Sequence, residues 1–207
     1  ATAISYMYQR GLDVTAAAIL AATVAEALRP DATVDRICDA ALKAAPRERL
    51  RTFDRRKFKS CHDYLETCLT VAQKHHDVLE ARKELYARCL LYHMIDPLEL
   101  LGLALAMFKI SKGDVRQAAI GGTNIGRDSD TIAGRGAMLS GALRGAGNVP
   151  KEWIQMVKPE VLRRIRKANT PLLLARAGVV NHCPVSVYGN VRRQGIIAKN
   201  GQPGADH

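Results

Sequence analysis

The segment Asn124-Ile125-Gly126-Arg127-Asp128-Ser129-Asp130-Thr131 concentrates oxygen ligands at what reads as the start of a helix. Carboxylates and hydroxyls are the donors that hard divalent cations such as Mg2+, Mn2+ or Ca2+ prefer. Asp128 and Asp130 are separated by one residue, so in an extended or turn conformation both face one point. Thr131 follows directly with a third oxygen. A helix N-terminus is the positive end of the helix dipole and does not attract a cation. It does orient the two carboxylates, and it favours an anionic group such as a phosphate nearby. Taken alone, Asp-x-Asp-Thr also fits an ordinary capped helix start.

The residues from Ile132 to Gly145 place Gly134, Gly136 and Gly141 inside the expected helix. Each interior glycine costs about 1 kcal/mol relative to Ala. Close approach of a second backbone, or of a ligand, would account for them. Gly136, Ser140 and Gly141 are therefore expected to pack against another helix, with Gly141→Leu overpacked by about 1–3 kcal/mol. Val149-Pro150 and Trp153 come next.

Asn-x-Gly-Arg-Asp-x-Asp-Thr, then a small-residue helix, then Gly-x-x-x-Val-Pro-x-x-Trp, resembles the closing signature of the ADP-ribosylglycohydrolase family. That family includes the dinitrogenase reductase-activating glycohydrolase and the J1 crystallins. The strong resemblance spans the motif region, and a weaker one reaches back through the upstream helices. The resemblance implies an all-α, compact orthogonal helical domain. It implies Mg2+ or Mn2+ as cofactor, two ions in intact family members, with Asp128, Asp130 and Thr131 as this chain's metal ligands and Asp130 as the bridging carboxylate. It also implies Asn124, Gly126 and Arg127 at the substrate. The implied activity is divalent-cation-dependent hydrolysis of an ADP-ribosyl glycosidic bond, on an ADP-ribosylated protein or an ADP-ribose-containing small molecule. The alternative is a non-catalytic or truncated relative that acts as an ADP-ribose- or anion-binding module or as a structural one.

The chain departs from the family pattern in three ways. Ser129 stands where Thr is usual, and Arg135 and Met138 are larger than the usual residues. No Gly-Asp-x-x-Gly occurs near the start and no Ser/Thr-Asp-Asp-Thr anywhere, so the family's N-terminal metal-ligand motif is missing. No catalytic acid or base is assigned for that reason, and the N-terminal portion of the domain is expected to be lacking.

Helical patterns position this segment. Val14–Leu28 is Ala-rich and stopped by Pro30, and Thr33 caps a second helix that runs towards Pro46. Ser60, with Asp63 three residues on, opens a long helix whose face is marked by Tyr64, Cys68, Ala72 and Leu79 and in which His75 and His76 lie. Adjacent histidines point to different faces, and neither these nor Cys61-His62 has a ligand partner at helical spacing. Asp96-Pro97-Leu98-Glu99 is a helix start with Asp as cap and Pro at the first position. Asp114 caps a helix through about Gly121, a further helix runs from near Asp130 to Gly145, and Pro150 and Pro159 each read as a first helical residue. Residues 47–59 read as a basic loop. Asp31, Asp35 and Asp39 read as a solvated helix face. The domain is expected to span 1–188, followed by a flexible basic tail at 189–207.

Aromatic residues are 5% of the chain and the formal net charge is +11. The basic residues fall in separate clusters with few aromatics among them to stack bases, so nucleic acid is not the expected partner. The longest apolar run, Leu100–Phe108, has nine residues, against about 20 for a membrane span, so no membrane is expected. No signal peptide is visible, and five cysteines without Cys-x-x-Cys spacing read as buried thiols of a cytoplasmic protein.

Overall fold

A computed structural model describes residues 1–7, 9–49 and 58–176, and every described element is helical. In chain order these are α1 (Thr2–Ser5), α2 (Leu12–Ala27), α3 (Val34–Ala44), α4 (Cys61–Lys74), α5 (Arg82–Cys89), α6 (Pro97–Ile110), α7 (Val115–Ile125), α8 (Ser129–Arg144), α9 (Lys151–Met156) and α10 (Pro159–Arg176). The helices divide into a unit ending at Lys151 and a second from Glu152. The domain boundary expected at residue 188, the tail at 189–207 and most of the basic loop at 47–59 lie outside the described residues.

The caps are those that the sequence prescribes. The Thr33 hydroxyl accepts from the Arg36 amide at 3.2 Å. Ser60 accepts from Asp63 at 3.1 Å, while the Asp63 carboxylate accepts in return from Lys59, one residue before the cap, at 2.7 Å. Asp96 Oδ1 accepts from Leu98 and Glu99 at 2.9 and 3.3 Å, and Asp114 accepts from Gln117 at 2.8 Å. Each cap satisfies amides that the first helical turn leaves without a partner.

Helix α6 is the centre of the first unit. Every residue from Leu98 to Ile110 except Lys109 is buried, the pattern of a helix surrounded by others. It packs against α2, α3, α4, α5, α7 and α8. Among the described residues no helix is long and apolar enough to cross a membrane. Cys38, Cys61, Cys68 and Cys89 are buried thiols in the core these helices share.

Two helix ends differ from their sequence reading. Helix α4 stops at Lys74 and does not continue to Leu79. His75 turns extended, with φ −110° and ψ 144°. Its Nε2 lies 2.9 Å from Glu84 of α5, and Asp77 then accepts from the Leu79 and Glu80 amides. Leu79 is half exposed as a result and marks no buried face. Helix α7 runs on through Gly121 and Gly122 to Ile125. Those two glycines mark a close approach and not a stop.

At Gly122 a Cβ would fall 2.5 Å from the Cα and 2.6 Å from the amide nitrogen of Ala133 in α8. A helix backbone cannot yield as a side chain does. Gly122→Ala is expected to lower stability by at least about 1–3 kcal/mol through forced separation of α7 and α8, read as a shifted denaturant midpoint. An unchanged midpoint would refute this helix spacing. Of the glycines and serine expected at a helix contact, Gly136 is buried and a Cβ there would meet Ala118 and the Ala104 carbonyl at 3.5–3.6 Å, and Ser140 is fully buried, donating to the Gly136 carbonyl at 2.9 Å. Gly141 departs from that expectation. A Cβ there meets nothing within 4 Å, as at Gly134, so a larger residue at 141 has room and the expected overpacking falls away.

Pro159 occupies the first position of α10 as expected, whereas Pro150 precedes α9 by one residue. The Arg163, Arg164, Arg166 and Lys167 side chains of α10 are exposed.

Candidate metal centre

The chain reverses between α7 and α8 through two successive residues in the left-handed region, Gly126 at φ 76° and Arg127 at φ 62°. Glycine adopts this conformation without steric cost, whereas a side chain there costs about 1–2 kcal/mol. A Cβ at Gly126 would also sit 2.8 Å from the Tyr86 hydroxyl, which donates to the Ile125 carbonyl. Arg127 is held in its costly conformation by its side chain. Its Nε donates to Glu99 Oε1 at 2.6 Å and its Nη2 to Glu99 Oε2 at 3.0 Å, with Leu91 O at 3.5 Å. Glu99 is fully buried and also accepts from the Leu91 amide. These bonds to Glu99 raise the Arg127 pKa. A bidentate pair anchored in the first turn of α6 thus fixes the residue immediately before Asp128.

Asp128 takes the position ahead of the first turn of α8, at φ −84° and ψ 72°, and its side chain makes no capping bond. Its carboxyl lies instead within hydrogen-bonding reach of the Asp130 carboxyl. That contact first, and then the Thr131 amide and Asp130's own amide, hold the Asp130 pKa below the usual aspartate range. Asp130 is exposed, and Asp128 and Thr131 are half-buried.

Asn124 is exposed near the end of α7, its side-chain amide donating to the Ile120 carbonyl at 3.0 Å. Gly126 and Arg127 form the reversal itself, with the Arg127 guanidinium engaged inward on Glu99. Arg135, one turn beyond Thr131, is half-buried, and its Nη1 donates to the Pro97 carbonyl at 3.4 Å. Burial lowers the Arg135 pKa, opposed by the charge of Asp128.

Among the described residues, no group of three or more His, Cys, Asp or Glu side chains is placed to hold a metal ion. What α8 presents is a pair of carboxylates with a threonine beside them, a donor set suited to one face of a hard cation. The other acidic and imidazole candidates are engaged elsewhere. Asp31 precedes α3 and pairs with Arg36 and Arg29, Asp35 pairs with Lys109 at 3.2 Å, and His62 is buried beside Glu66. Glu84 gathers Lys74, His75 and Arg88, and these bonds bring its pKa to about 2. Sequence reasoning missed Glu99 as a partner of this site, reading it only as a residue of a helix first turn.

All-helical architecture with paired aspartates opening a glycine-containing helix defines the class of fold and site. The chain belongs to the ADP-ribosylglycohydrolase family, whose model matches residues 2–181. The match extends beyond Trp153, where the motif resemblance fades. No curated protein and no solved structure matches the chain.

Proposed function

We propose that this chain contributes one wall of a divalent-cation site, Mg2+ or Mn2+, that serves hydrolysis of an ADP-ribosyl glycosidic bond. The observation that carries the reading is the convergence of Asp128 and Asp130 at the start of α8 in a member of this family. A cation held by such oxygens lowers the pKa of a bound water and stabilises developing negative charge. Asp130, whose pKa is lowered, presents an ionised carboxylate for binding. Asp128 gives the second oxygen donor and Thr131 a third. Arg127 acts behind them as a positioning residue, through Glu99. Asn124 and Gly126 lie at the same reversal, and the substrate is proposed to meet them there.

A second reading is favoured by the small number of convergent acids: a non-catalytic relative that binds an ADP-ribosyl group through the same oxygens. Both readings require cation binding. Mn2+ titrated into residues 1–207, followed by electron paramagnetic resonance, is expected to show a bound fraction that Asp130→Ala removes, with Asp39→Ala as a control that leaves it intact. Binding unaffected by Asp130→Ala would sink the site.

A further inference from the structure

A pocket of about 210 Å3 is lined by Gln9, by Asp13, Ala17 and Leu20 of α2, by Pro97 of α6 and by Arg135 of α8. Asp128, Thr131 and Arg135 recur at helical spacing, so they stack along one face of α8. Arg135 lies about 10 Å along the axis from Asp128 at a rise of about 1.5 Å per residue. Its guanidinium carries five donors in a planar fork. Among the described residues its one hydrogen bond is the 3.4 Å contact to Pro97, and no carboxylate lies within ion-pairing distance. Arg127, on the same connection, has a bidentate carboxylate partner. A half-buried guanidinium that lines a pocket and makes one long hydrogen bond among the described residues is suited to an oxyanion from outside the chain.

We infer that Arg135 and this pocket form a specificity-determining subsite that takes the phosphate of a phosphorylated sugar. The inference rests on the cation-site reading above, because it places the phosphate about two turns along the α8 face that holds Asp128. The pocket carries one charge of each sign. An isolated dianion would meet Asp13 unfavourably, whereas a phosphate ester with neighbouring hydroxyls offers its oxyanion to Arg135 and hydroxyl donors to Asp13 and Gln9. Ala17, Leu20 and Pro97 supply the apolar wall on which a sugar ring rests.

The test is calorimetric binding by residues 1–207 with Mn2+ present. The probes are ADP-ribose, ribose 5-phosphate and ribose, measured on the parent chain and on Arg135→Ala and Arg135→Lys. ADP-ribose and ribose 5-phosphate are expected to bind at least about tenfold more weakly to Arg135→Ala, the loss of a charge-assisted contact. Ribose is expected to be unaffected, and Arg135→Lys to recover part of the loss. Equal affinity of parent and Arg135→Ala for both phosphorylated probes overturns the inference and leaves the cation site standing. The reverse pattern separates the two. If Asp130→Ala leaves Mn2+ and ADP-ribose binding unchanged while ribose 5-phosphate still depends on Arg135, the pocket stands and the cation reading fails. Absence of binding by either phosphorylated probe to the parent chain overturns the subsite.

Discussion

Arg127→Ala is expected to lower the stability of the helical unit by about 3–5 kcal/mol, the range for removing one partner of a buried ion pair. Glu99 is fully buried, and Arg127 keeps 21% of its side chain exposed. Truncating the arginine leaves a carboxylate inside the protein with the Leu91 amide as its remaining donor among the described bonds. The left-handed backbone at residue 127 loses its tether at the same time. Equilibrium denaturation is the measurement, and a change below about 1 kcal/mol would refute the pair as a structural anchor. Replacing both partners, as in Glu99→Leu with Arg127→Met, is expected to recover much of the loss, because no uncompensated charge then remains. Glu84 offers the contrast. Its three partners surround it at the surface, where ion pairs are worth little.

Residues 1–207 alone are expected to release ADP-ribose from an ADP-ribosylated substrate slowly, whether Mg2+ or Mn2+ is supplied. Asp128, Asp130 and Thr131 furnish at most three or four oxygen contacts, while Mg2+ seeks six in near-octahedral geometry. A second cation close by would raise the repulsion without further carboxylates to offset it, and Arg135 adds a positive charge on the same helix face. Loss of a single supporting group around a metal commonly costs about 10–100-fold. Turnover is therefore expected on the order of 100-fold or more below that of a form extended upstream to carry a Ser/Thr-Asp-Asp-Thr stretch. Release of ADP-ribose with each form, and with Asp130→Ala in each, is the measurement. Robust turnover by the short chain, abolished by Asp130→Ala, would show that two aspartates suffice.

The parts of this molecule legible in the sequence are those fixed locally. Thr33, Ser60, Asp96 and Asp114 cap helices through bonds spanning two or three residues, so their types and spacing announce them. Asp128 and Asp130 are two residues apart at the start of α8 and are legible in the same local way. The Glu99–Arg127 pair spans 28 residues, and nothing near either residue marks the other. Glu99 reads locally as an acid suited to a helix start, and Arg127 reads as part of a ligand-facing motif. Gly121-Gly122 resembles a helix stop because local propensity says so. Tertiary proximity to Ala133 makes it an interface instead. Likewise α4 ends early because His75 and Asp77 find partners beyond the reach of periodicity.

The thiols of Cys38, Cys61, Cys68 and Cys89 are each at most 2% exposed. Burial pushes Cys38 up to about 12 and Cys68 well above an ordinary thiol. Only the thiolate reacts with alkylating reagents, so these sulfurs are chemically silent until the chain opens around them. They lie on three different helices, Cys38 on α3, Cys61 and Cys68 on α4, and Cys89 on α5. The protein thus contains its own clock for local opening. Where reclosing outpaces alkylation, the labelling rate at each cysteine measures the equilibrium between shut and open forms of its helix. Agreement among the four rates, which report on three helices, distinguishes a unit that melts as one body from helices that loosen in turn.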